Sequence, residues 1–179
     1  QTTGGWILWK DAKNELSLTA SWMPLSFDPD DNDDHQMKQL DERKASAFLG
    51  GAYYRHESWG SLKFAVSGDA MDESGGVVGE LSYFHPIRME RLTLTPSVGV
   101  FYSDESYNDY YYGVSSSESR RSGLKEYTAG DSWTPYVGLA AKYQLTQKLF
   151  LNASAVYTVL PDDVKNSPMI DRDDSFALM

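Results

Sequence analysis

Three things are scarce in this 179-residue sequence: cysteine, long apolar runs and basic charge. Cysteine is absent, which excludes disulfides, thiolate metal sites and a cysteine nucleophile. The most apolar run covers residues 47–54, whereas a membrane-spanning helix needs roughly 20 apolar residues. Lys and Arg number 16 against 26 Asp and Glu, a net charge of -10, so we expect no nucleic-acid partner.

What the sequence does contain is alternation between apolar and small or polar residues. Leu16, Leu18 and Trp22 share one parity, and Ser17 and Thr19 occupy the other. Such alternation predicts a strand with two unlike faces. Short turns and long polar loops also alternate along the chain. Together these patterns indicate an all-β protein, an antiparallel transmembrane β-barrel of the outer-membrane type.

We predict eight strands and the beginning of a ninth. They cover residues 4–9, 15–26, 45–56, 62–70, 77–84, 92–102, 135–145 and 149–160, with the ninth starting at 175–179. Bacterial barrels of this type have even strand numbers. We therefore expect residues 1–179 to form a single barrel domain that is incomplete at both ends. No signal peptide is visible at Gln1, as in a processed chain or a fragment.

Tryptophan and tyrosine are abundant, and the tryptophans fall near the ends of the predicted strands. The five are Trp6, Trp9, Trp22, Trp59 and Trp133. Amphipathic rings favour the headgroup level of a bilayer, so this placement is typical of the aromatic girdles of a barrel. The alternative is the aromatic core of a β-sandwich.

Charged residues on the polar parity of the strands are predicted to face the lumen. They are Lys63, Asp69, Glu80 and Lys142. On the lipid face, a lysine would cost up to about 2–4 kcal/mol at the bilayer midplane. Facing inward, these residues either line a water-filled channel or form a satisfied polar interior with no transport role.

No motif predicts catalysis, a metal or a cofactor. The acidic loop that starts at Asp28 resembles an EF-hand only superficially, because Asp33 and Gln39 replace the required Gly and Glu. A solvated loop is the simpler interpretation, with divalent-ion bridging to lipopolysaccharide as the alternative. His35, His56 and His85 fall on different loops or turns, and no G-x-S-x-G elbow is present.

The longest loop, residues 103–133, is rich in tyrosine and contains an arginine pair. Exposed aromatic residues beside arginine have the composition of an interaction hot spot. The candidate partner-binding residues are Tyr110, Tyr111, Tyr112, Arg120, Arg121 and Trp133. In the alternative, the tyrosines simply pack over the mouth of the barrel.

Ordered motifs along the whole chain resemble the MipA/OmpV family of outer-membrane proteins. In the long loop they are residues 111–115, 118–119, 121–124 and Tyr127; elsewhere they are residues 33–37, 40–41, 43–44, 68–69, 94–96, 131–133, 162–164 and 167–169. The resemblance implies a barrel in the outer membrane of a Gram-negative bacterium, in contact with lipid and lipopolysaccharide. It carries over no catalytic residues.

For function, the resemblance implies a scaffold rather than an enzyme. Such a scaffold would bring together a membrane-bound lytic transglycosylase and a bifunctional penicillin-binding protein in peptidoglycan synthesis. Other family members are linked to adhesion or to antibiotic response. The polar lumen also leaves open a passive pore or small-ligand channel, and the long loops leave open a surface adhesin or receptor.

Overall fold

One antiparallel sheet of ten strands dominates the structure, a computed structural model that describes residues 2–170 and 174–178. The strands are β1 Thr2–Lys10, β2 Asn14–Met23, β3 Ser46–Glu57, β4 Gly60–Asp69, β5 Val77–Phe84, β6 Ile87–Met89, β7 Leu92–Ser103, β8 Ser132–Gln144, β9 Phe150–Val159 and β10 Asp174–Leu178. Neighbours in sequence pair with each other, except that β5 and the short β6 both pair with β7. The predicted antiparallel strands are confirmed. The turn predicted at residues 85–88 contains the start of β6.

Three helices lie in the long connections. They are α1 Glu105–Tyr112, α2 Ser116–Ser122 and α3 Asp162–Lys165, and two 3-10 turns cover Pro29–Asp31 and Met37–Gln39. Local signals explain α1 and α2: Asp104 caps the first, and a Ser115–Glu118 capping box starts the second. Gly123, with φ of +76°, ends α2. None of the helices in the described part of the chain has the length and apolar character needed to cross a membrane.

The two faces of the sheet have opposite character. In β2 the apolar Leu18 and Trp22 are exposed, whereas Ser17 and Ser21 are buried. Exposed apolar side chains continue across the sheet as Leu49, Phe64, Leu81, Val98, Val137, Leu139 and Leu151. An apolar outward face and a polar inward face reverse the usual arrangement of a water-soluble sheet.

The sheet curves around its polar face. The Tyr136 hydroxyl of β8 donates a hydrogen bond to Glu80 Oε1 of β5 over 2.7 Å, although β7 lies between these strands. Neighbouring strands are about 4.8 Å apart, so side chains two strands apart meet this closely only on a concave surface. The concave face is therefore the polar interior.

All five tryptophans are exposed. Trp9 and Trp59 lie at the end of the sheet with the short turns, and Trp22 and Trp133 lie at the end with the long loops. The prediction of a strand end is wrong for Trp6, which stands in the middle of β1 opposite Leu18. It was misplaced because β1 begins two residues before the predicted strand.

Pro96 interrupts neither of its ladders. It pairs with Leu139 of β8, and on its other side the chain passes from β5 to β6. His85 N–H donates to the Pro96 carbonyl across this break, over 3.1 Å. The missing N–H of Pro96 therefore faces a local edge, where no ladder hydrogen bond is lost.

Gly50 of β3 has no room for a side chain. A Cβ there would overlap the Val66 carbonyl oxygen and the backbone of Ser67 in β4. We expect Gly50→Ala to lower the free energy of unfolding by about 1–3 kcal/mol, the usual cost of overpacking, measured by urea unfolding in detergent micelles. Gly4→Ala is the control, since no heavy atom lies within 4 Å of its added methyl group. An equal loss in both variants would contradict this explanation.

Candidate functional site

Three long connections fold together over one end of the concave face. We call residues 24–45, 104–131 and 160–170 the loop-side cap. Side-chain hydrogen bonds join the three: Gln36 donates to the Ser122 carbonyl over 3.1 Å, and Tyr127 donates to the Asp163 carbonyl over 3.2 Å. The cap is thus a single packed layer rather than three independent loops.

Helix α1 is the part of the cap that extends furthest into the interior of the sheet and packs against its strands. Tyr107 and Tyr111 pack with Met23, Phe48 and Val78, which come from β2, β3 and β5. The Phe48 and Tyr107 rings meet edge to face with centroids 5.9 Å apart. Burial raises the pKa of the Tyr111 hydroxyl to about 12 and also raises that of Tyr107. This cluster, the α1 plug, occupies the loop-side end of the interior beside β2, β3 and β5.

The tyrosines predicted as a binding surface hold the chain's own backbone. The Tyr111 hydroxyl donates to the Lys44 carbonyl, and Lys44 N–H donates to the Tyr110 hydroxyl, both over 2.9 Å. The Tyr112 carbonyl accepts a hydrogen bond from Ser167 over 2.6 Å. Tyr111 is buried, and Tyr110 and Tyr112 are half-buried. These three tyrosines therefore pack over the mouth of the barrel.

The remaining predicted partner-binding residues do not share one surface. Arg121 pairs with Asp41 and donates to the Gln39 carbonyl, so it ties α2 to the first long loop. Arg120 is exposed beside it on α2. Trp133, the second residue of β8, lies on the outward apolar face and contacts the Tyr102 ring, with centroids 4.8 Å apart. The arginines belong to the cap surface and Trp133 to the apolar surface.

A buried ion pair joins the first long loop to α2. Arg43 Nη2 lies 2.8 Å from Glu118 Oε1, and the two side chains are 8% and 3% exposed. Arg43 also donates to the carbonyls of Gly113 and Asp41. Burial by itself would raise the pKa of Glu118, but hydrogen bonds from Asp41 N–H, from the Ser115 hydroxyl and N–H, and from Arg43 lower it to about 2.

Sequence reasoning missed the residue that attaches α1 to the sheet. Asn108 is fully buried and its side chain bonds to Ser103 of β7, Ser132 of β8 and the Gly130 carbonyl. No local sequence pattern identifies Asn108 as a buried residue, because it lies in a polar segment. For the Arg43–Glu118 pair, the Ser-x-x-Glu capping box predicts that Glu118 lies in the first turn of a helix. It does not predict that Arg43 is the ion-pair partner of Glu118.

The predicted lumen residues form two different environments. Lys63 Nζ lies 2.5 Å from Glu80 Oε2 on the concave face. The hydroxyl groups of Tyr136 and Ser82 donate hydrogen bonds to the same carboxylate. Asp69 accepts hydrogen bonds from the Ser46 hydroxyl and from the backbone of the β4–β5 turn. Both carboxylates are satisfied by the protein.

Lys142 differs from the other predicted lumen residues. It lies on the concave face near the short turns, with Nζ 4.3 Å from the centroid of the Phe150 ring. It makes no ion pair within residues 2–170.

A serine and a histidine do meet across the β3–β4 turn. His56 Nδ1 and Ser61 Oγ are 2.8 Å apart. Ser61 is buried, and among the described residues no carboxylate hydrogen-bonds to His56. The pair therefore lacks the orienting acid and the accessible nucleophile of a catalytic triad.

An antiparallel sheet with an exposed apolar outer face, a polar interior and a cap of long loops defines a transmembrane β-barrel of the outer-membrane type. The family model described as "MltA-interacting protein MipA" matches residues 1–179. The chain belongs to this family, which confirms the resemblance found in its motifs.

Named relatives agree on the location. The chain is 56% identical over its full length to YiaT of Escherichia coli K12, a provisionally named outer membrane protein of which it covers 73%. It is 43% identical over 169 residues to the MltA-interacting protein of the same strain, covering 94% of this chain and 68% of that protein. OmpV of Vibrio cholerae is 28% identical over 142 residues, 79% of this chain and 55% of OmpV. No solved structure matches significantly. The chain is an outer-membrane protein of a Gram-negative bacterium.

Proposed function

We propose that this protein is a non-enzymatic scaffold that binds a lytic transglycosylase at the outer membrane and brings it together with a penicillin-binding protein in peptidoglycan synthesis. The observation that carries the proposal is the 43% identity to a protein named for its interaction with MltA, within a family named in the same way.

The short turns are the surface that such partners would reach. In outer-membrane barrels the short turns face the periplasm, where peptidoglycan lies, and the long loops face outward. We define the turn-side surface as residues 11–13, 58–59, 85–91 and 145–149. Lys13 and Glu57 form an ion pair over 2.8 Å that links the first two turns. Trp59 is exposed and stacks on Tyr83, with ring centroids 5.9 Å apart, so this surface is preorganised for a partner.

A passive diffusion pore fits the geometry less well. The α1 plug occupies the loop-side end of the concave face, and Tyr107 within it is only 6% exposed. Below it the Lys63–Glu80 pair spans two strands of the interior wall. An open pore would require the plug to leave its apolar site.

Two matched double variants test which side binds. Arg88→Ala with Arg91→Ala removes two cations from the turn-side surface, and Arg120→Ala with Arg121→Ala removes two from the cap. We expect the turn-side variant to capture at least about 10-fold less lytic transglycosylase in a quantitative pulldown from detergent, equivalent to about 1.4 kcal/mol. The cap variant should capture as much as the wild type.

Two results would contradict this scaffold proposal. If the wild-type protein captures no transglycosylase above an unrelated outer-membrane barrel, the partner is wrong. If only the cap variant loses capture, the turn side is not the binding surface. The penicillin-binding protein is tested in the same pulldown with and without the transglycosylase.

A further inference from the structure

A cavity of about 320 Å³ lies on the concave face of β7, β8 and β9, towards the short turns. Its polar lining consists of Thr93, Thr95, Lys142, Asn152 and Ser154. Thr93 stands opposite Lys142, and Lys142 stands opposite Asn152, so the three strands present polar side chains side by side. The volume falls within the range of small-molecule sites, which begins at about 300 Å³.

The protein leaves these polar groups without partners of its own. Within residues 2–170, the side chains of the five lining residues make no hydrogen bond or ion pair with the protein. The interior wall around Glu80 is different, because Lys63, Ser82 and Tyr136 all bond to that carboxylate. Hydroxyl, amide and ammonium groups that face one cavity and remain free are available to a ligand.

The charge of the cavity opposes the charge of the whole chain. The net charge is -10, yet none of the described residues that line this cavity is acidic. On the same concave face, Lys63 is neutralised by Glu80. Lys142 has no such partner in the described part of the chain, and the Phe150 ring holds its ammonium group at 4.3 Å. The cavity therefore favours an anion.

Access to the cavity is from the turn side. The α1 plug lies at the opposite end of the interior, packed against β2, β3 and β5. Thr93 and Lys142 both lie within two residues of the turn-side ends of β7 and β8. The cavity is thus open to the concave face at its turn-side end, where a periplasmic solute reaches it without passing the plug.

We propose that this cavity binds an anionic, hydroxyl-rich solute of monosaccharide size, such as a sugar acid or a sugar phosphate. Lys142 pairs with the anionic group. Thr93, Thr95, Asn152 and Ser154 exchange hydrogen bonds with the solute's hydroxyl groups. This binding activity goes beyond the scaffold proposal and depends on none of the residues that test it.

Calorimetric titration of the full protein in detergent micelles tests the site, with glucuronate, glucose 6-phosphate and glucose as probes. We expect at least one anion to bind saturably and at least about 10-fold more tightly than glucose, which shares the ring but lacks the charge. Lys142→Met should weaken the binding of that anion by about 10-fold. Lys125→Met removes the same charge from the loop-side cap, at the opposite end of the interior, and should leave binding unchanged. The two anions distinguish a carboxylate ligand from a phosphate ligand.

Several outcomes would overturn the proposal. They are the absence of saturable binding by either anion, equal binding of glucose, and equal weakening by Lys142→Met and Lys125→Met. Asn152→Ala provides a second measurement. Because this side chain is neutral, its loss weakens binding only if the solute contacts Asn152 in the cavity. The urea midpoint of each variant verifies folding.

Discussion

Replacing Glu118 by alanine is expected to destabilise the loop-side cap by about 3–5 kcal/mol. The change leaves the Arg43 guanidinium buried with its positive charge uncompensated. It also removes the acceptor of the Asp41 and Ser115 N–H groups. Amide hydrogen exchange reports the loss directly, since Val114 and Tyr127 bond to each other through their backbones within the cap. Their protection should fall while that of the β2–β3 ladder is retained.

Asp41→Ala is the matched control for this prediction. It breaks the exposed Arg121–Asp41 pair, which joins the same two segments, and we expect a loss below about 1 kcal/mol. The Asp41 N–H that bonds to Glu118 belongs to the backbone and is kept. If the two variants lose equal protection at Val114 and Tyr127, the buried pair has no special role in the cap.

Acid should weaken the cap by the same mechanism. The pKa of Glu118 falls from an ordinary 4.5 to about 2 in the folded protein. The unfolded cap therefore binds a proton that the folded cap does not, and the stabilisation is complete above pH 4.5 and lost as the pH falls towards 2. Cap protection in Glu118→Gln should lack this contribution. If the wild-type cap loses protection at a pH above 4.5, the titration of a group other than Glu118 is responsible.

Replacing Tyr107 by alanine should open the α1 plug. A buried aromatic residue contributes about 3–5 kcal/mol to its core, and here the phenol ring covers Phe48 and Val78. Because the chain has no cysteine, Val78→Cys provides a single probe beneath the plug. We expect a water-soluble thiol reagent to label it at least about 100-fold faster in the Tyr107→Ala background, as a loss of this size implies.

Tyr107→Phe separates the ring from its hydroxyl group. The phenylalanine ring keeps the edge-to-face contact with Phe48, so labelling of the cysteine at position 78 should stay at the wild-type rate. Fast labelling in the wild-type background would mean that the plug is already open. Equal rates in the Ala and Phe variants would mean that the Tyr107 ring does not close the interior.

The face of the sheet on which a strand residue lies was predictable, because its polarity matches the environment of that face. In β2 the parity of Leu18 and Ser17 was enough to separate the outward face from the interior. The same parity placed Lys63 and Glu80 on the polar face of β4 and β5. Trp6 shows the limit of such reasoning, since its position along β1 depends on where pairing with β2 begins.

The cap could not be predicted, because its contacts join residues that are distant in sequence. Arg43 and Glu118 are 75 residues apart, and Tyr111 reaches back 67 residues to the Lys44 carbonyl. Four of the eight residues in α1 are tyrosines, three of them in a row, so the sequence alone does not separate the buried pair Tyr107 and Tyr111 from the other two. Whether they faced solvent or the interior depended on the space between β2, β3 and β5.

Apart from the short β6, the strands, their two unlike faces and the family could be predicted from the sequence, because a period of two and ordered motifs are local properties of the chain. The folded protein was needed to show that α1 enters the interior, that Arg43 meets Glu118 and that Lys142 makes no ion pair within residues 2–170. Those outcomes depend on which side chains the curvature of the sheet brings within hydrogen-bonding distance, and curvature is set by all the strands together.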